Sequence, residues 1–206
     1  MFTLSACGNA PADSKSSSQP QNETAAATTE KKTEAAEKEK SGVGSTTTAG
    51  NKTLVVYFSA TGTTKGVAQQ IAEITNADTY EILAAQTYTT ADLNWNDKES
   101  RTTKEQNDKS VRPEIGSEKI SFDGYSTIFV GYPIWWGEEP RIMDTFVESY
   151  DFSGKTVVPF CTSGGSGIGS SGTNLAQNAG SGNWLEGERL SSSSDIDGWI
   201  KGLKLS

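Results

Sequence analysis

The most informative stretch of the chain is Lys52-Thr-Leu-Val-Val-Tyr-Phe-Ser-Ala-Thr-Gly-Thr-Thr-Lys65. Its apolar run, residues 54–58, is typical of a β-strand and stops abruptly at Ser59. Apolar residues then recur at spacings of three and four over residues 67–74, which predicts a helix. A strand that leads through a short turn into a helix can bind an anion, because the first helical turn presents free N–H groups and the positive end of the helix dipole.

The turn between this strand and helix is rich in hydroxyl groups. Ser59, Thr61, Thr63 and Thr64 surround a single glycine, Gly62, so neutral donors alone could hold a phosphate. The alternative is that these residues are ordinary helix N-caps and bind nothing. The glycine spacings of a Walker loop and of a dinucleotide-binding turn are both absent from this turn, which excludes those two motifs.

Composition narrows the possible functions. The chain has 206 residues and a net charge of -8, which argues against nucleic acid and against direct electrostatic binding to anionic lipid. It contains no histidine, which excludes Ser-His-Asp and Cys-His catalysis. Its two cysteines, Cys7 and Cys161, cannot form a metal cluster. We therefore predict no metal site and no catalytic side chain, and any redox chemistry would belong to a bound cofactor.

Residues 1–50 differ in composition from the rest. Residues 8–50 contain almost no large apolar side chains and are predicted to be a disordered linker. Ahead of them, Leu4-Ser-Ala-Cys7 resembles the lipobox of bacterial lipoproteins, in which the cysteine is lipidated. The basic and apolar regions of a signal peptide do not precede it here, so three interpretations stay open: the chain is truncated, its start codon was placed too late, or Cys7 is incidental.

Residues 51–206 alternate between strand and helix patterns. Strands are predicted at 53–58, 79–83, 127–132, 156–161 and, more weakly, 184–190. Helices are predicted at 64–75, 141–150, 169–179 and 195–203. Three of the strands are continuous apolar runs, as in parallel sheets that are buried on both faces, so we predict a doubly wound α/β domain.

The long polar segment 85–120 interrupts this alternation. It contains a predicted short helix near residues 99–109, and Tyr88, Trp95 and Arg101 are its notable side chains. Long segments of this kind are often functional. Two interpretations remain open, a surface crossover between strands and a loop that covers a ligand.

Three predicted strands end in unusual loops. The first is 59–64. The third strand ends in Gly131-Tyr-Pro-Ile-Trp-Trp-Gly-Glu-Glu-Pro140, and the fourth ends in Cys161-Thr-Ser-Gly-Gly-Ser-Gly-Ile-Gly169. In open α/β sheets, ligands bind beyond the carboxyl ends of the strands. Adjacent tryptophans at 135 and 136 suit stacking on a flat ring, although core packing is the alternative.

Taken together, these motifs resemble the flavodoxin-like FMN proteins over residues 51–206. The first loop resembles their phosphate loop, and the loops after the third and fourth strands resemble their two isoalloxazine loops. The resemblance implies a parallel five-stranded sheet in the order 2-1-3-4-5. It implies FMN as the cofactor, held by Ser59, Ala60, Thr61, Gly62, Thr63, Thr64, Pro133, Ile134, Trp135, Trp136, Gly137, Thr162, Ser163, Gly164 and Gly165.

The resemblance further implies an electron-transfer protein that works with redox partner proteins, with Glu138 and Glu139 near the ring. The short-chain form is expected, with an unsplit fifth strand. With Cys7 lipidated, the protein would be anchored outside a bacterial cell membrane; otherwise it would be cytoplasmic. The alternatives are an NAD(P)H-dependent flavin or quinone reductase and a non-redox phosphate-binding module on the same fold.

Overall fold

The computed structural model of the chain describes residues 51–205. The predicted linker and Cys7 lie outside the described residues. Within residues 51–205, no helix combines the length and apolar character that a membrane crossing requires.

A parallel sheet forms the centre of the domain. Its strands are β1 (Lys52–Phe58), β2 (Asp78–Ile82), β3 (Tyr125–Pro133), β4 (Thr156–Thr162), β5 (Asn183–Trp184) and β6 (Glu188–Arg189). The order is β2-β1-β3-β4-β5, with β6 also paired to β4, so the predicted order 2-1-3-4-5 is confirmed.

Helices cover both faces of the sheet. They are α1 (Thr63–Thr75), α2 (Arg101–Asn107), α3 (Arg141–Glu148), α4 (Ser171–Ala179) and α5 (Ile196–Gly202). The side chains of β1 alternate between two buried clusters, as the two-residue period of a strand requires. Leu54, Val56 and Phe58 pack with α3 and α4. Val55 and Tyr57 pack with α1 and α5. The predicted doubly wound α/β class is therefore confirmed.

The fifth position of the sheet differs from the expectation of one unsplit strand. It holds β5 and β6, which pair with β4 on either side of Pro159. Leu185 donates to the Val157 carbonyl and Leu190 to the Cys161 carbonyl, both at 2.8 Å. Pro159 lies between these two hydrogen bonds and has no N–H to donate, so the hydrogen-bond ladder along this edge of β4 is interrupted at Pro159.

Candidate functional site

The carboxyl ends of β1, β3 and β4 carry three loops on adjacent strands. We define the first loop as residues 59–62, the second loop as residues 134–140 and the third loop as residues 163–170. Because β1 lies between β2 and β3, the chain leaves β1 and β3 toward opposite sides of the sheet. The space between the carboxyl ends of β1 and β3 is therefore the topological switch point, where open α/β sheets bind ligands.

The first loop leaves several polar groups without partners in the protein. Gly62 is the N-cap of α1 at φ 87°, and no side chain caps the helix. The hydroxyls of Thr61 and Thr63 are exposed and lie 3.3 Å apart. The Ser59 Oγ is buried and has no hydrogen-bond partner within the described residues. Ala60 packs at the edge of the core. The turn therefore offers hydroxyl and N–H donors to an anion.

Thr162, at the end of β4, joins all three loops. Its hydroxyl lies 2.8 Å from that of Thr64 in the first turn of α1. Its carbonyl accepts a hydrogen bond of 2.9 Å from the Ile134 N–H. Thr64 and Thr162 are both buried, so their side chains hold the loops together rather than facing solvent.

The second loop contains a tight turn at Trp136 and Gly137. Trp135 and Glu138 exchange two main-chain hydrogen bonds, of 3.0 and 3.1 Å. Between them, Trp136 has φ 50° and Gly137 has φ 83°, the signs found in a type I′ turn. A positive φ is unfavourable for tryptophan, and backbone strain of this kind concentrates at functional sites.

The two adjacent tryptophans have different environments. Trp135 contacts Phe58 and Tyr88 edge to face, at centroid distances of 5.6 and 5.3 Å. Trp136 is 44% exposed. Trp135 therefore belongs largely to the core, as the alternative interpretation allowed, whereas Trp136 is available to a ligand.

An apolar cleft of about 360 Å³ opens beside the second loop. Its lining residues are Thr61, Leu93, Trp95, Thr102, Ile134, Trp135 and Trp136. None of these side chains carries a charge. The crossover segment, residues 83–124 between β2 and β3, supplies three of them, so it frames the cleft rather than only connecting two strands.

The third loop is polar and mostly exposed. Ser163 Oγ donates to the Ser166 carbonyl and accepts from the Gly165 N–H at 3.3 Å. Gly164 and Gly165 are exposed, and a Cβ at either would meet nothing within 4 Å. Pro133, the last residue of β3, pairs with Thr162, which brings the second and third loops side by side.

The acidic residues that follow the turn in the second loop, Glu138 and Glu139, lie beside cations. Arg141 is buried and forms ion pairs with Glu138, Glu139 and Asp144. Burial raises the pKa of Glu139 to about 7, and the neighbouring Asp144 acts in the same direction. Lys109 and Arg141 hold the pKa of Glu138 below its usual value. The negative charge expected near a ring is therefore largely compensated by cations.

Gln106 of α2 connects the crossover segment to the second loop. Its amide nitrogen donates to the carbonyls of Trp135, at 2.8 Å, and Glu139, at 3.2 Å. Sequence reasoning missed Gln106, Leu93 and Thr102, since the polar crossover segment offers no local signal of which neighbours its side chains will meet.

Cys161 is buried in β4, and burial raises the pKa of its thiol to about 12. A thiol that is protonated at neutral pH is a poor nucleophile. The position is consistent with a structural residue.

The sheet order and the loops at its carboxyl edge define a doubly wound α/β protein of the flavodoxin-like class. The sequence profile of the family described as Flavodoxin matches residues 52–203, so the chain belongs to the flavodoxin family.

Solved structures agree with this assignment. A flavoprotein from Bacteroides uniformis is 48% identical, with a TM-score of 0.71, over 74% of this chain and 99% of its own. A flavoprotein from Bacteroides eggerthii is 46% identical, with a TM-score of 0.71, over 75% and 99%. A flavoprotein from Lactobacillus acidophilus, solved in complex with FMN, is 25% identical, with a TM-score of 0.52, over 73% and 99%. No curated protein matches the chain.

Proposed function

We propose that this chain is an electron-transfer flavoprotein that holds FMN at the carboxyl edge of its sheet. Membership of the flavodoxin family confirms the sequence-based prediction of FMN as the cofactor. The observation that carries the proposed FMN site is the pairing of a donor-rich turn, at Ser59 to Gly62, with an apolar cleft beside Trp136. No histidine or reactive thiol is present among residues 51–205 to perform chemistry of its own.

The residues of the first loop fit a phosphate. The buried Ser59 Oγ lacks a partner within the described residues, and an unpaired buried hydroxyl costs about 1–3 kcal/mol. A phosphate oxygen would satisfy it. The uncapped N-terminus of α1 provides further N–H donors, and the hydroxyls of Thr61 and Thr63 are exposed. The neutral N–H and hydroxyl donors, together with the positive end of the helix dipole, would balance the phosphate charge without an ion pair.

The cleft fits a flat ring. Its side chains are uncharged, and Trp136 presents an exposed aromatic surface on a turn with two positive φ angles. Bound FMN supplies the one- and two-electron redox chemistry. The protein orients the ring with Trp136 and limits water around it with Ile134 and Leu93. Thr64 and Thr162 keep the first and third loops in register.

The purified protein tests the proposal directly. The apoprotein is titrated with FMN, and the absorbance spectrum is recorded before and after NADH or NADPH is added. Stoichiometric FMN binding, with slow reduction by either nucleotide and rapid reduction by dithionite, is the expected result. A protein that gains no yellow chromophore under FMN saturation would instead be a non-redox phosphate-binding module.

An NAD(P)H-dependent flavin or quinone reductase is the second candidate. It is favoured by the cleft between the crossover segment and the second loop, which leaves Trp95 exposed. Rapid reduction of the bound flavin by NADH or NADPH alone would identify this activity.

We also propose that Cys7 is lipidated and anchors the domain outside a bacterial membrane, where it exchanges electrons with redox proteins. The proposal rests on the sequence Leu4-Ser-Ala-Cys7 followed by a polar linker. Expression from the native gene followed by fractionation tests it. Wild-type protein is expected with the membranes and Cys7→Ala in a soluble fraction. Wild-type protein that stays soluble in the cytoplasm, with no change in Cys7→Ala, would make Cys7 incidental and the protein cytoplasmic.

A further inference from the structure

Trp95 is the most exposed large apolar side chain among residues 51–205, at 72%. Tryptophan rings usually bury most of their surface, and an exposed one marks a surface that something else covers. Trp95 is not isolated on the surface, because it lines the same cleft as Thr61 and Trp136.

The chain on both sides of Trp95 is held by hydrogen bonds. Asp92 Oδ2 accepts from the N–H and the hydroxyl of Thr89, at 2.8 and 2.7 Å. The Asp92 carbonyl accepts from the Thr102 hydroxyl at 2.6 Å. The Asp97 carbonyl accepts from the Thr103 hydroxyl at 2.9 Å. Trp95 is therefore presented by an ordered loop, so a ligand would bind it with little loss of conformational entropy.

The same loop is anchored in the cofactor site. Tyr88 lies against Phe58 at the end of β1 and against Trp135 in the second loop. Its hydroxyl donates to Glu105 Oε2 at 2.8 Å, and the Arg101 guanidinium lies 4.0 Å from its ring centroid. The crossover segment thus shares its buried contacts with the elements that carry the first and second loops.

Trp95 and Trp136 are the two exposed aromatic side chains that line the cleft. We propose that Trp95, supplied by the β2–β3 crossover, is the second aromatic contact of the isoalloxazine ring, while Trp136 contacts the ring from the second loop. This assignment rests on the proposed function. The ring would fill the uncharged cleft and cover Trp95.

FMN and riboflavin titrations of the full chain test the assignment. In Trp95→Ala we expect the Kd to rise about tenfold for both ligands, because the lost contact is to the ring and not to the phosphate. Iodide should also reach the bound flavin more easily and quench its residual fluorescence more strongly. Trp95→Phe should change the Kd by less than threefold. Asn96→Ala is the matched control, since its side chain makes no hydrogen bond within the described residues and does not line the cleft.

Each outcome decides the assignment. A wild-type Kd and unchanged iodide quenching in Trp95→Ala would overturn it and leave the FMN proposal standing, as would an equal loss in Asn96→Ala. A loss for FMN but not for riboflavin would place Trp95 at the phosphate instead of the ring and would also overturn it. Absence of FMN binding in the wild-type protein would remove both proposals.

Discussion

The hydroxyl oxygens of Thr64 and Thr162 lie 2.8 Å apart in the interior, although 98 positions separate them in the chain. Thr64 lies in the first turn of α1 and Thr162 ends β4, so this contact joins the two elements that adjoin the first and third loops.

Thr162→Val should destabilise the fold by about 1–3 kcal/mol, because it leaves the Thr64 hydroxyl buried and unpaired. The double variant Thr64→Val/Thr162→Val should cost less than the sum of the two single changes. Urea denaturation gives both values. Thr156→Val, at the other end of β4, serves as the control because Thr156 makes no side-chain hydrogen bond within the described residues. Additive losses would show that the two hydroxyls do not interact.

Thr61→Ala should weaken FMN binding and leave stability unchanged. Thr61 is exposed, and its hydroxyl would donate to a charged phosphate, a bond worth about 1.5–3 kcal/mol. The measurement is a flavin fluorescence titration, with Thr79→Ala on the exposed part of β2 as the control. Riboflavin should bind both variants as it binds the wild type. Unweakened FMN binding by Thr61→Ala would contradict a phosphate at this loop.

Replacing the two tryptophans in turn should give different phenotypes. Trp135→Ala removes contacts to Phe58 and Tyr88 and should destabilise the fold by about 2–4 kcal/mol. Trp136→Ala should leave stability nearly unchanged and raise the Kd for FMN. Thermal unfolding without FMN and a titration with FMN separate the effects. The assignment is wrong if Trp136→Ala binds FMN normally.

Gly137→Ala should strain the second-loop turn. The φ of 83° is unfavourable for any residue with a Cβ and costs roughly 1–2 kcal/mol, yet a Cβ there would meet nothing within 4 Å. Any loss of stability therefore reports backbone strain and not a clash. Gly164→Ala is the control, since that site is equally open and lacks a positive φ. Equal unfolding free energies for the two variants would mean that the turn relaxes without cost.

The free energy of unfolding should fall as pH rises from about 4.5 to about 7, because of the ionisation of Glu139. Burial raises its pKa in the folded protein to about 7, so the folded state holds a proton that the unfolded state releases in this window. The full effect is on the order of 3 kcal/mol, at 1.36 kcal/mol for each pKa unit.

Glu139→Gln should lack this loss, so its stability relative to the wild type should grow between pH 5 and pH 7.5. Denaturation curves across that range measure the difference. Glu73→Gln, at an exposed site on α1, should follow the wild-type pH dependence. A constant difference between Glu139→Gln and the wild type would mean that Glu139 is ionised throughout.

The sequence by itself determined the layered fold. Continuous apolar strands that alternate with amphipathic helices leave only a doubly wound sheet, and the helices and first four strands lie within a few residues of their predicted bounds. The hydroxyl-rich turn at 59–64 could also be predicted from the sequence, because it depends only on local spacing and on the helix that follows.

Only the tertiary structure decided what depends on distant neighbours. The split at Pro159 appears because its missing N–H faces another strand. Of the two adjacent tryptophans, Trp135 packs against Phe58 and Tyr88 whereas Trp136 is exposed, because a turn with positive φ points them into different surroundings. Burial raises the pKa of Glu139, and the long crossover brings Trp95 to the cleft. Side-chain packing between segments remote in sequence sets all of these, and no local pattern encodes it.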